Sequence, residues 1–161
     1  MKFKLLNNSF GRDAENLVGT INLKNYQGAV SALETFYYSF NNKDMEIFKK
    51  IWVQNDLIQL NNPLGGIVRG ITTISDLYSK IFTSKADVWV EFSDIVSYQL
   101  NECVVFAGRE KGSFSNEKDT VELAIRTTRI FAYIDGNWGQ IHHHGSIDDP
   151  ELLRKYQAAV R

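Results

Sequence analysis

The stretch that decides the fold runs from Trp138 to Ser146 and reads Trp-Gly-Gln-Ile-His-His-His-Gly-Ser. It follows an Asp135-Gly136 pair, and residues 121–133 before that pair alternate between the two sides of a strand. Two such stretches joined at Asp-Gly predict a β-hairpin. Because successive side chains of a strand point to opposite faces, the middle histidine, His143, lies opposite its two neighbours.

The period-two pattern extends back to Asp87, which predicts four long antiparallel strands. Along the third of these strands, one face carries Leu123, Ile125 and Arg129, and the other carries mostly smaller or more polar side chains. Both faces of the strands include apolar residues. This predicts a sheet that is covered on both sides, by helices on one face and by a second subunit on the other.

Before Asp87 the apolar period is helical. Residues 25–42 form one predicted helix, and Asp44 is placed to cap a shorter second one. A short strand is predicted at residues 57–60. Thr72 or Thr73 is expected to cap a third helix, and Asp148-Asp149-Pro150 opens a last helix.

This order of elements predicts an α+β fold. We interpret residues 25–161 as one domain and residues 1–24 as an N-terminal extension, a partly ordered tail in which short strands are an alternative. The formal net charge of −1, without a block of like charge, argues against nucleic-acid binding and against an anionic membrane surface. The single cysteine, Cys103, excludes an internal disulfide and fits a reducing cytoplasm. No apolar run has membrane-spanning length and no signal peptide is expected.

Three stretches carry a family resemblance: residues 40–44, residues 65–70, and residues 128–146 with their Thr-Arg, Asp-Gly-Asn-Trp and His-His-His-Gly-Ser segments. Through them the chain resembles the cone-shaped, cystatin-like superfamily of nuclear transport factor two, ketosteroid isomerase and the SnoaL-like proteins. The resemblance is closest to the association domain of calcium/calmodulin-dependent protein kinase II and its stand-alone bacterial relatives. It implies a strongly bent antiparallel sheet wrapped around the first helix, a pocket between them, and self-association through the outer sheet face.

The resemblance to the kinase association domain also implies arginines in the pocket, and Arg109 and Arg129 match two of them. Gly145 stands at the place of a third arginine, and Ile74 at the place of a pocket histidine. The ketosteroid isomerase chemistry is not implied, because Asn62 occupies the position of the carboxylate base and an amide cannot accept a proton in that role.

The candidate ligand-binding residues combine these matches with aromatic side chains that have polar tips. They are Tyr37, Trp52, Asn62, Tyr78, Arg109, Arg129 and His143. A single β-bulge would reverse which face is concave, so an alternative set is Arg126, Thr128, His142 and His144. Two histidines on one face are too few ligands for a metal site, and neither a metal nor another cofactor is expected.

Three functions remain open at this stage. The first is a small-molecule-binding domain with an apolar, arginine-bearing pocket for an organic acid or similar ligand. The second is an enzyme of the dehydratase, isomerase or cyclase type that uses His143 and Arg129. The third is an association domain whose pocket is filled by Phe36, Trp52 and Phe82. In each case we expect a homodimer, formed through the face that carries Ala124, Arg126, Ile130 and His142.

Overall fold

The hairpin predicted at Asp135-Gly136 is present in the computed structural model, which describes residues 1–160. Its two strands end at Ile134 and begin at Asn137. Asp135 has φ of 51° and Gly136 has φ of 83°. Two consecutive positive φ values are the signature of a type I′ turn, whose twist matches that of the flanking strands.

Seven strands and four α-helices make up residues 1–160. The strands are β1 (Lys2–Leu6), β2 (Gln59–Asn61), β3 (Ile67–Arg69), β4 (Asp87–Leu100), β5 (Cys103–Ser115), β6 (Thr120–Ile134) and β7 (Asn137–Ser146). The helices are α1 (Tyr26–Asn41), α2 (Met45–Ile51), α3 (Ile71–Thr83) and α4 (Pro150–Ala159), with a 3-10 turn at Val18–Thr20. The predicted α+β class is therefore confirmed, and the predicted helices and strands occur in the predicted order, with β1 and β3 in addition.

All seven strands belong to one sheet in the order β1-β4-β5-β6-β7-β2-β3. Neighbouring strands are antiparallel except for β2 and β7, which run parallel and place Leu60 opposite His143. The antiparallel sheet predicted for the long strands is confirmed. The parallel pair is an addition at the sheet edge, where β2 follows α2 and lies along β7 in the same direction. The short β3 completes this edge and has no counterpart among the predicted elements.

Two irregularities bend the long strands. In β4 the register shifts between Ser93 and Val96, where Asp94 has φ of 53°. In β7 one extra residue, Ile141, lies between the pairs that Gln140 and His142 make with β6. Bulges of this kind strengthen the local twist and curl a sheet, and the curled sheet encloses α1.

Helix α1 forms the centre of the core. Asn25 caps it by accepting a hydrogen bond from the backbone N–H of Gly28 at 3.0 Å. Its buried side includes Leu33, Phe36 and Tyr37, all with no exposed surface. Burial of large apolar and aromatic side chains is the main stabilising contribution here.

Of the two helix caps predicted from the sequence, one is present and one is not. Asp44 accepts a hydrogen bond from the Ile47 N–H at 3.0 Å, as predicted. Helix α4 begins at Pro150, also as predicted, and Asp149 caps it. The cap predicted for α3 is wrong. Neither threonine caps it, because the helix begins at Ile71 directly after Gly70, whose φ is 78° and which has no side chain to offer.

The first 24 residues pack against the domain, so the interpretation as a partly ordered tail is wrong. Strand β1 pairs with β4 from Lys2 to Leu6. Phe10 exchanges two backbone hydrogen bonds with Phe92, and its side chain is buried, as is Ile21. Backbone pairing with β4, and not a local sequence pattern, holds these N-terminal residues in place. The boundary between an N-terminal extension and a single domain at residue 25 stays a prediction.

No helix within residues 1–160 is both long and apolar enough to cross a membrane.

Candidate functional site

A cavity of about 390 Å³ lies between the inner face of the sheet and helices α3 and α4. Most of its wall is apolar. The apolar lining is Phe40, Leu60, Pro63, Leu64, Leu77, Ile81, Ala86, Val88, Val90, Phe114, Leu123, Ile125, Ala159 and Val160. The polar lining is Asn62, Tyr78, Lys80, Ser84, Glu110, Asn116, Arg129, His143 and Tyr156. A concave apolar site with a few converging polar groups is typical of small-molecule binding.

Four of the seven candidate residues line this cavity: Asn62, Tyr78, Arg129 and His143. Tyr37 is fully buried behind the wall, where its hydroxyl accepts a hydrogen bond from the Nε of Arg129 at 2.9 Å. Trp52 is also buried and lies outside the lining. Both aromatic residues belong to the layer beneath the cavity.

Arg109 is placed on the outer face, so its predicted position in the pocket is wrong. Its side chain is 65% exposed and its Nε lies 3.3 Å from Asp94 Oδ2. The neighbouring Glu110 points inward instead. Strand parity accounts for this difference, because Glu110 shares its side of β5 with the buried Val104 and Phe106.

The alternative residue set lies on the outer face. A shallow groove of about 270 Å³ there is lined in part by Arg126, Thr128 and His144. His142 is half-buried on the same side, and none of the four lines the inner cavity. The concave side of β6 is therefore the one that carries Arg129.

Arg129 is the centre of a buried polar network at the base of the cavity. Its Nη2 donates to Glu110 Oε1 at 2.8 Å, and its Nη1 donates to Gln140 Oε1 at 3.1 Å. The Tyr37 hydroxyl donates to the same Glu110 oxygen at 2.6 Å. The guanidinium carbon lies 3.7 Å from the centre of the Phe36 ring, which adds a cation–π contact.

Glu110 lines the cavity but is not among the candidate residues predicted from the sequence. Its Oε2 accepts a further hydrogen bond from Thr127 Oγ1 at 2.9 Å. Both arginines have an anion as partner, since Arg129 is paired with Glu110 and Arg109 with Asp94. The signal in the sequence is the parity of Glu110 with the apolar side of β5.

His143 is 97% buried, and neither of its ring nitrogens has a hydrogen-bond partner within residues 1–160. Burial, and then the charge of Arg129, hold the pKa of this imidazole well below its usual value. The bulge at Ile141 is what lets both Gln140 and His143 face inward despite their odd spacing. The amide nitrogen of Gln140 is also buried without a partner in the same part of the chain.

Tyr78 and helix α4 form the upper part of the wall. Burial raises the pKa of Tyr78 to about 12, so the phenol keeps its proton at neutral pH. Helix α4 is held across the cavity by two side chains: Asn116 Nδ2 donates to Ala159 O at 2.8 Å, and Gln157 Nε2 donates to Leu64 O at 2.9 Å. No group of three or more His, Cys, Asp or Glu side chains suited to a metal ion occurs in the part of the chain that the structure describes.

Comparison with known families identifies the domain. A family model for the SnoaL-like domain matches residues 30–150. The chain belongs to the SnoaL-like family. The match covers most of α1 and all of β2 to β7, so the SnoaL-like region supplies Arg129, Glu110 and His143, whereas β1 and nearly all of α4 lie outside it.

Solved structures confirm the fold of this SnoaL-like domain. A Caulobacter vibrioides protein with a cystatin-like fold is 16% identical, covers 84% of this chain and 98% of its own, and superimposes with a TM-score of 0.64. A nuclear transport factor 2-like superfamily protein from Salmonella enterica is 17% identical, covers 80% of this chain and 91% of its own, and has a TM-score of 0.65. A calcium/calmodulin-dependent protein kinase II hub homology domain from Chlamydomonas reinhardtii is 16% identical, covers 74% of this chain and 95% of its own, and has a TM-score of 0.59. The predicted superfamily and its kinase-associated relatives are confirmed, and no curated protein matches the chain.

Proposed function

We propose that this SnoaL-like domain binds a small organic molecule in the cavity bounded by the sheet, α3 and α4. One observation carries the proposal. His143 is almost fully buried, lines the cavity and has two ring nitrogens without a partner in residues 1–160. Buried polar groups normally have hydrogen-bond partners, and a bound molecule supplies one.

The apolar wall of the cavity indicates that the part of the ligand away from His143 is apolar. Residues Leu77, Ile81, Val90 and Leu123 contribute apolar side chains to the cavity lining, whereas the Arg129 network contributes polar ones. A molecule with a carbon body and one polar head matches this division. Both an organic acid, which the sequence predicts, and an uncharged molecule fit that description.

The empty volume supports binding over assembly alone. A domain that serves only for association is expected to fill its pocket with Phe36, Trp52 and Phe82. None of these three lines the cavity. Phe36 lies under Arg129, and Phe82 packs against Phe40 with ring centres 5.8 Å apart.

An enzymatic role is the second candidate, and the same imidazole favours it. A neutral His143 is able to accept a proton from a bound substrate, while Arg129 and the protonated phenol of Tyr78 are placed to stabilise negative charge on the substrate. A dehydratase, isomerase or cyclase reaction requires such a pair of roles. If the domain is an enzyme, the bound molecule is converted to a product. If it is a binding domain, the molecule is released unchanged.

Self-association forms the other part of the proposal. The outer face of the sheet leaves Phe3 and Leu5 of β1 exposed, at 67% and 61%. The half-buried Ile130 and His142 lie on the same face, with β4 and β5 between them and β1. An apolar surface of this kind on a sheet is typical of an interface. A homodimer is the smallest closed assembly that buries it.

A thermal-shift screen with a cavity-filling variant tests the binding proposal. The library contains aromatic and alicyclic compounds, both acidic and uncharged, small enough for the cavity. Leu77→Trp introduces an indole into the cavity wall, and Thr73→Trp introduces the same group at an exposed position one turn earlier on α3. We expect ligands to stabilise the wild type and Thr73→Trp but not Leu77→Trp. The proposal fails if no compound stabilises the wild type, or if stabilisation persists in Leu77→Trp.

A further inference from the structure

We propose that the ligand is uncharged and that its polar head is a hydroxyl group, as in a phenol or a cyclic alcohol. This inference rests on the proposed binding function and concerns the same cavity. It follows from how the charges and hydrogen-bonding groups at the base of the cavity are already used. Three groups at the base of the cavity decide it: Arg129, Glu110 and His143. Lys80 is the other charged residue of the lining, and its side chain is exposed to solvent.

The charge at the base of the cavity is balanced within the protein. Arg129 and Glu110 form an ion pair in which both side chains are at most 4% exposed. A carboxylate brought into the cavity therefore meets a cation that already has its anion, and it approaches the Glu110 carboxylate as a like charge. A buried charge without its own partner is costly. An uncharged head group avoids this cost.

Arg129 retains hydrogen-bond donors although its charge is matched. A guanidinium has five N–H groups, and Arg129 uses three of them, on Tyr37, Glu110 and Gln140. The remaining two have no acceptor among the hydrogen bonds of residues 1–160. Because Arg129 lines the cavity, an oxygen atom of a ligand is able to accept from it.

His143 supplies the complementary half of the site. It lies directly opposite Arg129 on the neighbouring strand, and both side chains line the cavity. A neutral imidazole has one nitrogen that donates and one that accepts. A hydroxyl group can accept from Arg129 and donate to the accepting nitrogen of His143. A carboxylate or a carbonyl can accept from Arg129 and from the donating nitrogen of His143, but it leaves the accepting nitrogen without a partner.

Three matched probes test the inference in the full chain: 2-naphthol, 2-naphthoate and 2-methylnaphthalene at pH 7.5. Their carbon bodies are the same, and they differ in a hydroxyl, a carboxylate and a methyl group. Titration calorimetry should show 2-naphthol binding at least about tenfold more tightly than either of the others, the value of one or two well-made hydrogen bonds without a charge cost.

Glu110→Gln changes the charge balance and nearly preserves the shape. It leaves Arg129 without a counter-charge, so the affinity for 2-naphthoate relative to that for 2-naphthol should rise about tenfold or more. Glu122→Gln is the matched control, since it removes the same charge from an exposed site on β6. The control should keep the preference of the wild type.

The outcomes separate this inference from the proposed function. If 2-naphthoate binds the wild type as tightly as 2-naphthol, the hydroxyl class is wrong and the binding function stands. If Glu110→Gln folds and shows no gain for 2-naphthoate, the charge argument is wrong. If Glu110→Gln does not fold, the wild-type comparison decides alone. If none of the probes and no library compound binds, both the inference and the proposed function fail.

Discussion

Arg129 Nη2 lies 2.8 Å from Glu110 Oε1, although the two residues are not opposite each other in the sheet. Glu110 pairs with Ile125, and Arg129 pairs with Phe106, so the two side chains reach toward each other along the concave face of β5 and β6. The side chains of Arg129 and Glu110 are 2% and 4% exposed. Such a pair is stable only with further hydrogen bonds, which Tyr37 and Thr127 supply to the carboxylate.

Removing one member of this pair should strongly destabilise the protein. Arg129→Met keeps much of the side-chain length and leaves Glu110 buried without a cation. We expect the free energy of unfolding to fall by about 3–5 kcal/mol, the cost of an uncompensated buried charge. Urea denaturation followed by circular dichroism measures the change.

Two further variants control this measurement. Adding Glu110→Gln to Arg129→Met should recover part of the lost stability, because the double variant buries no net charge. Arg109→Met removes an exposed pair with Asp94 and should change stability by less than about 1 kcal/mol. Equal losses in Arg129→Met and Arg109→Met would contradict the assignment of the buried pair.

Gly136 is a second position with a defined cost. Its φ of 83° lies in the left-handed region, and a Cβ added there meets no atom within 4 Å. Gly136→Val should therefore destabilise through backbone strain alone, by roughly 1–3 kcal/mol. A Cβ added at Gly19 also meets no atom within 4 Å, but Gly19 has no positive φ, so Gly19→Val serves as the control. Similar unfolding midpoints for the two variants would show that backbone strain at Gly136 is not the cause.

The elements that could be predicted are those with a strong local signal. The Asp-Gly turn, the Asp44 and Asp149 caps and the alternation along β6 all arise from residues close together in the chain. Strand β1 could not be predicted in the same way. Its order depends on backbone pairing with β4, more than 80 residues away, which local sequence does not encode.

Residues of the site can be predicted where the alternation of side chains along a strand alone decides which face they lie on. Arg129 and His143, which the family resemblance assigns to the pocket, both line the cavity, but His143 faces it together with Gln140 only because Ile141 forms a bulge. Family resemblance assigns Arg109 to the pocket, against the parity that favours Glu110. The contributions of α4 depend on Tyr156 and Ala159 reaching the cavity after the last strand, for which no pattern in the sequence gives a position.

The stability of the protein should decrease as the pH falls below about 7. The pKa of His143 is lowered in the folded state by burial and by Arg129, so below the ordinary pKa of about 6.5 the unfolded chain binds a proton that the folded chain does not. Stability is therefore fully present above that value and is lost below it. The slope for one such group approaches about 1.4 kcal/mol per pH unit.

Urea denaturation between pH 5 and pH 8 measures this dependence. His143→Gln should flatten the curve, although a smaller slope remains because burial also lowers the pKa of His142. His144→Gln changes an exposed side chain whose charge is the last of the causes that lower the pKa of His143, so this variant should retain most of the wild-type slope. An unchanged slope in His143→Gln would show that this imidazole is not the titrating group.

Helix α4 should open more readily when its tether is removed. Asn116→Ala eliminates the hydrogen bond to Ala159 O near the end of the helix. Asn116 and Gln157 each hold this part of α4 by one hydrogen bond, and the variant removes the first of them. Hydrogen exchange should be faster at the α4 amides and in the turn after β5, where Asn116 Oδ1 accepts from the Lys118 and Asp119 N–H groups, and unchanged in β7. Glu151→Ala, which removes an exposed pair with Arg154, is the control and should leave exchange at the far end of α4 unaltered.

The outer sheet face should mediate a homodimer. Ile130 lies at the centre of this face, half-buried in the single chain and next to His142 on β7. A stable dimer should bury at least about 1,000 Å² in total. Ile130→Glu places a charge at the middle of that interface, so sedimentation velocity at micromolar concentration should show a dimer for the wild type and a monomer for the variant. Leu57→Glu introduces the same charge at a side chain that is 83% exposed in the loop before β2, and it should remain dimeric. A monomeric wild type would rule out the dimer, and a dimeric Ile130→Glu would place the interface on another surface.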